Sequence, residues 1–134
     1  MRLLVNMAII SKITHYILES FHGTASVGAA AATTVFTNGL TGTPCRRINS
    51  MYITNNDASN VVHLKVLYTD HNNSFAGRVA FCARIHPNET VRAFTRDCPL
   101  VVDTTESFQI NCTGPTGTAD VDYIVNVETF KNAL

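Results

Sequence analysis

Histidine and cysteine are the residues best equipped for chemistry in this chain, which carries five of the first and four of the second. His15, His22, His63, His71 and His86 include no HxxxH or HExxH pair, the spacing that turns two imidazoles toward one metal from a helix. Cys82 and His86 share the parity of one strand face. In a straight strand, however, about 3.3 Å per residue holds them roughly 13 Å apart. A single zinc ion, with bonds of about 2 Å, cannot span that gap. Cys45, Cys82, Cys98 and Cys112 contain no CxxC pair. They permit either two disulfides or free thiols that pack as small hydrophobes.

The carboxylates and hydroxyls are equally reticent. Asp70-His71 has the form of half a dyad, but it adjoins Asn72 and Asn73, where Asp serves the local hydrogen bonds of a turn. No GxSxG elbow supplies a nucleophile. Asp97, Asp103 and Glu106 form an acidic group, and DTTE reads as a solvated hairpin turn between two strands. Paired carboxylates for glycoside hydrolysis would have to face one another across a bound sugar. No catalytic, cofactor-binding or metal-ligating residue is therefore assigned. The expectation is a chain that is not an enzyme and uses no cofactor.

Composition narrows the function classes further. The 134 residues suffice for one domain with its own core. Lys and Arg total 10, Asp and Glu total 10, and only 15% of residues are charged. That is not the basic field a phosphate backbone requires, so no direct nucleic-acid partner is expected. No apolar run reaches the roughly 20 residues of a membrane span. The start, MRLLVNMAIISKITHYIL, is interrupted by Asn6, Ser11 and Lys12 and is not read as an export signal. Thiols are accordingly favoured over disulfides. Three glycosylation sequons begin at Asn72, Asn88 and Asn111; with twelve Asn, about two would arise by chance, so they do not argue for secretion. Of Arg46, Arg47, Arg78, Arg84, Arg92 and Arg96, several are expected to alternate outward on neighbouring strands. There they either form a solvated face or pair with carboxylates of another subunit.

The elements that must position these residues read as short strands. From Thr33 onward, TTVFT, RRINSMYIT, VVHLKVLYT, RVAFCARIH, TVRAFTR, PLVV, SFQINC and VDYIVNVETF are separated by clusters of Gly, Pro, Asn and Asp. Period-two alternation puts Val62, Leu64, Val66 and Tyr68 on one face of their strand. It does the same for Val79, Phe81, Ala83 and Ile85, for Phe108, Ile110 and Cys112, and for Val121, Tyr123, Val125 and Val127. Asn55 to Asn60 is expected to join two pairing strands. The predicted fold class is all-β, an antiparallel, jelly-roll-like β-sandwich over residues 33–134. Within residues 1–32, Leu3, Met7, Ile10, Ile17 and Phe21 lie near one stripe of a helix, but ITHYIL is β-branched and aromatic and suits a strand better, which leaves two favoured readings. A strand over residues 13–18 follows an extended N-terminal arm that buries itself on a neighbour, or the same strand is the first of the sandwich. GTASVGAAAA is a pliable connector.

The order of these pieces resembles small virion structural proteins of tailed bacteriophages. Residues 52–55 with Ser59 match a YxTN-type hairpin, and residues 85–90 match an IxPxET strand entry. Residues 99–110 match a hairpin that opens with Pro-Leu, and residues 121–128 match the closing strand; DTTES stands where the familiar turn is Gly-Asp. The resemblance implies a β-sandwich component of a capsid surface, neck, tail or fibre, with no catalytic residues. It implies assembly in the host cytoplasm and residence in the virion. The implied partners are the major capsid protein or other virion proteins. A homo-oligomer is expected, with a trimer favoured, and no membrane. The first expectation is a protein that decorates or cements the capsid shell, and a neck, tail or fibre-hub position is the alternative. A secreted carbohydrate-binding module is the rival from another class; the absence of Trp counts against the aromatic platform it would need.

Overall fold

The computed structural model describes residues 13–28, 32–37, 45–68, 78–103 and 106–132. Over these the chain forms nine strands: β1 (Ile13–Ala25), β2 (Thr33–Thr37), β3 (Cys45–Asn55), β4 (Val62–Tyr68), β5 (Arg78–Ile85), β6 (Thr90–Ala93), β7 (Leu100–Asp103), β8 (Ser107–Thr113) and β9 (Val121–Asn132). One sheet has the order β1-β9-β3-β6, with β7 also on β3, and the other is β2-β8-β4-β5. Every strand pair within the sheets is antiparallel. The chain crosses repeatedly from one sheet to the other, which is the jelly-roll form of sandwich.

This topology corrects two local expectations. Residues 55–60 do not close a hairpin, because β3 and β4 belong to different sheets. DTTE is likewise no hairpin turn. β7 pairs with β3 while β8 pairs with β2 and β4, so the two strands belong to different sheets; Glu106 is buried, and Thr104 and Thr105 lie outside the described residues. Sequence adjacency suggests pairing, but a sandwich gains more apolar burial by placing consecutive strands in facing layers.

The alternating faces meet in one core. Ile48, Met51 and Ile53 of β3, Val62, Leu64 and Val66 of β4, Phe108, Ile110 and Cys112 of β8, and Val121, Val125 and Val127 of β9 are at most 1% exposed. Burying each large side chain contributes about 1.5–3 kcal/mol. Register shifts reconcile the pattern with its exceptions. Strict alternation cannot bury both Ile48 and Met51, and a shift between Ile48 and Ser50 lets both point inward. A shift opposite Val66 and Leu67 leaves Ala80 extra in β5, so Val79 is exposed rather than inward. Phe81 is half-buried, its ring centroid 6.0 Å from that of Phe94.

β1 is longer than expected and belongs to the sandwich. It pairs with β9 from Ile13 to Ala25, Ala25 is buried, and Phe21 packs on Phe36 at 5.0 Å between centroids. Gly23 lies opposite Tyr123, where an added Cβ would come within 2.8 Å of the Tyr123 hydroxyl. Glycine there lets that ring fold over β1. Removal of residues 1–32 would therefore take part of the core with it. Any arm is confined to residues 1–12, which lie outside the described residues.

Arg46 is not among the arginines that face outward. It shares the inward parity of Ile48 and is buried. Its guanidinium stands 5.5 Å from the Phe21 ring centre and 5.0 Å from that of Phe36. Its charge is met by Glu19 at 3.5 Å, and Glu19 also accepts a hydrogen bond from the Thr129 hydroxyl at 3.1 Å. Cation–π contact and the ion pair together make an inward arginine tolerable.

One end of the sandwich is fastened by hydrogen bonds. Asn55 is fully buried and its Nδ2 donates to the carbonyls of Asn60 and Ile85 at 2.8 and 3.2 Å. Asp57 accepts from the backbone N–H groups of Ala119, Ser59 and Asn60 at 2.9, 2.7 and 2.6 Å. The backbone N–H of Asn88, a residue in left-handed conformation, donates to the Asp57 carbonyl at 3.2 Å. The β3–β4, β5–β6 and β8–β9 connections thus form one surface. The NND of the sequence specifies it, since Asn and Asp bond nearby backbone.

Candidate docking surface

The residues first suspected of chemistry do not converge. His22, His63 and His86 are exposed at separate places, and His71 lies outside the described residues. Of His15 only the backbone position, in β1, is described. Among the described residues no group of three or more potential metal ligands occurs. Cys82, Cys98 and Cys112 are free thiols, the first two exposed and the third buried. Burial pushes the Cys112 thiol up to about 12, so it stays protonated. Asp97 is exposed in the turn after β6, Asp103 ends β7, and Glu106 is buried.

What the fold does assemble is the outer face of the β1-β9-β3 sheet. The register aligns three rows of side chains across it. The first is Leu18, Glu128, Arg47 and Val101; the second Ser20, Asn126 and Ser50; the third His22, Ile124, Tyr52 and Arg92. Leu18 is 71% exposed, Ile124 48%, Val101 47% and Tyr52 37%. These large side chains are open to water, Tyr52 least of the four because Arg92 lies over its ring. Ile124 and Tyr52 adjoin in the third row, while Leu18 and Val101 stand at the two ends of the first with Glu128 and Arg47 between them; several exposed large apolar side chains on one face make it a candidate interaction surface.

The central charges of this face, Arg47 and Glu128, neutralise each other. Arg47 donates from Nε to Glu128 Oε2 at 2.9 Å and again from Nη2 to the same oxygen. Burial raises the Glu128 pKa, but hydrogen bonds from Arg47 and Asn49 and the charges of Arg47 and Arg96 outweigh it, leaving the carboxyl below its usual range. Arg92 sits over the Tyr52 ring at 5.6 Å. Between the first and third rows lies a shallow depression of about 300 Å³, lined by Leu18, Ser20, Asn49 and Asn126. Asn126 Nδ2 donates to Ser50 Oγ at 2.9 Å, while the buried Asn49 Oδ1 has no partner. Contact over the Arg47–Glu128 pair therefore strands neither of those two charges.

The opposite sheet presents different chemistry. Its outer face carries His63 and Lys65 from β4, Cys82 and Arg84 from β5, and Gln109, Asn111 and Thr113 from β8. A depression of about 310 Å³ there is lined by His63, Lys65, Cys82 and Arg84. Of the six arginines singled out in the sequence, Arg47 and Arg92 lie on the first face and Arg84 on the second. Arg46 is internal, and Arg78 and Arg96 are exposed beyond them. Sequence reading missed these rows altogether, because they depend on which residue of β1 stands opposite which residue of β9.

No family model and no curated protein matches this chain. Among solved structures, one titled "Structure of infectious bursal disease virus Gx strain" is similar over 91% of this chain, at 7% identity and a TM-score of 0.34. This chain covers 38% of the chain in that structure. At that score the likeness carries no argument about function.

Proposed function

We propose that this chain is a structural protein of a bacteriophage virion that decorates or cements the capsid shell through protein–protein contacts. The observation that carries the reading is the β1-β9-β3 outer face. A sandwich with a complete core still leaves Leu18, Ile124, Val101 and Tyr52 in water beside a self-neutralised ion pair. The jelly-roll order supports it as an architecture common in capsid domains, although the same architecture also serves lectins and cupins. The resemblance of the sequence to phage virion proteins supplies the finer assignment. The partners are the major capsid protein or other virion proteins, with a homo-oligomer, a trimer by preference, as the working unit. A neck, tail or fibre-hub position is the variant of the same reading.

Mass spectrometry with copy counting on purified particles tests this. A count in the hundreds places the chain on the shell, and a count near a dozen places it at the neck or tail. Absence from the particle overturns the proposal. Binding of the isolated chain to a glycan array through Tyr52 would favour the carbohydrate-binding rival instead.

A further inference from the structure

We infer that the outer face of the β2-β8-β4-β5 sheet receives the acidic loop end of a second copy of this chain. The inference rests on the structural-protein reading and names the contact by which copies would adjoin.

Lys65 and Arg84 are exposed on neighbouring strands, with His63 in register beside Arg84 and Cys82 opposite Lys65. The rest of that face is neutral: β8 contributes Gln109, Asn111 and Thr113, and β2 contributes Thr34 in register with Gln109. The ion pairs Arg46–Glu19 and Arg47–Glu128 belong to the other sheet, and neither engages Lys65 or Arg84. Like charges on adjacent strands repel one another. The patch therefore holds positive charge with no compensation from its own sheet.

The chain is formally neutral, so the compensating charge lies elsewhere. It lies at the fastened end. Asp57, Glu89, Asp120 and Asp122 gather there, and residues 56–61, 86–89 and 114–120 contain no Lys or Arg. The loops that carry these acids are bound to one another. Ala119 N–H donates to the Asp57 carboxylate, Asn88 N–H to the Asp57 carbonyl, and Asn56 Nδ2 to the Asp120 carbonyl at 3.4 Å. An acidic surface ordered in advance loses little freedom on binding. Asp122 belongs to the other sheet and points from its outer face, so a chain cannot fold it back onto its own Lys65.

Complementary charges on different surfaces of identical chains give a heterologous contact. Repeated with a closing rotation it forms a ring, such as a trimer. A phosphate backbone could also match the cations. The acidic loops flank the same sheets, however, and would repel a long polyanion, whereas a second copy brings those acids as the ligand.

The test uses the purified full chain and two double variants, Lys65→Glu with Arg84→Glu and Asp120→Lys with Asp122→Lys. All four side chains are exposed, so thermal unfolding should match the parent and confirms that each variant is folded. Sedimentation velocity should show that the parent self-associates and that added salt weakens the association. Each variant alone should self-associate about tenfold more weakly or worse. An equimolar mixture should regain association, because each variant then offers the surface the other needs. A parent that is monomeric at every salt concentration overturns the inference, as does a mixture that fails to associate. Binding of oligothymidylate to the parent but not to the Lys65/Arg84 variant, without self-association, assigns the face to nucleic acid and overturns it too. Particle copy counting is independent of these results. A protein found in particles but indifferent to the charge reversals fails this inference alone, and one that self-associates but is absent from particles fails only the virion reading.

Discussion

The outer faces of the two sheets share one core and differ in what they can give up to a partner. The β1-β9-β3 face shows water Leu18, Ile124, Val101 and Tyr52, and its Arg47–Glu128 pair satisfies itself. Drying that face removes apolar surface from water, and its central Arg47–Glu128 pair stays compensated. The β8-β4-β5 face shows Lys65, Arg84 and His63 among amides and hydroxyls, with Val79, 54% exposed, opposite Leu67. Contact there gains specificity and rate from charge and weakens with salt. One sandwich thus offers a face suited to a durable attachment and a face suited to a selective one.

The comparison breaks most completely if the common core is lost. Phe108 is fully buried and stacks on Phe36 at 5.4 Å, so Phe108→Ala should cost about 3–5 kcal/mol, read by chemical denaturation. Val125→Asp should abolish folding, because it places an unpaired charge between the sheets. Both faces should fail together in these variants.

The next largest effect should separate the faces. Leu18→Glu combined with Ile124→Glu should weaken attachment to the particle by about 2 kcal/mol or more, measured by binding to particles stripped of the chain. Thermal stability should hardly change, since both side chains are largely exposed. Asn111→Glu on the opposite face should leave that attachment intact.

A smaller effect belongs to the loop end. Backbone N–H groups of Ala119, Ser59 and Asn60 hold the Asp57 carboxyl well below the usual carboxylate range. A depressed native pKa stabilises the fold fully above the unfolded value of about 3.9, and that contribution is lost as pH falls toward the native value. Asp57→Asn should therefore lower stability at neutral pH and flatten its decline below about pH 4, in acid titrations followed by circular dichroism. The smallest perturbation is chemical. Cys82 and Cys98 should react with a thiol reagent in the folded protein, and Cys112 only on unfolding.

The parts legible in the sequence were those governed by period two. Val62, Leu64 and Val66, Phe108, Ile110 and Cys112, and the four alternating residues from Val121 to Val127 all face the core. Alternation is a local property, so a single chain displays it. Val79 escaped because the extra residue at Ala80 reverses parity, and nothing in RVAFCARIH announces a bulge. Arg46 escaped because its partners, Glu19, Phe21 and Phe36, come from β1 and β2. The docking face was illegible for the same reason. Leu18 and Val101 fall in one row only once β1, β9, β3 and β7 are set side by side. Strand pairing between residues more than 100 positions apart leaves no local trace.

Hydroxyl-radical footprinting of the free chain against the chain in purified particles tests the docking face most directly. Side-chain oxidation should fall sharply at Leu18, Ile124 and Tyr52 in the particle, with Phe108 unreactive in both states. If those three residues oxidise as fast in the particle as in the free chain, the β1-β9-β3 face is not the surface by which this protein is held.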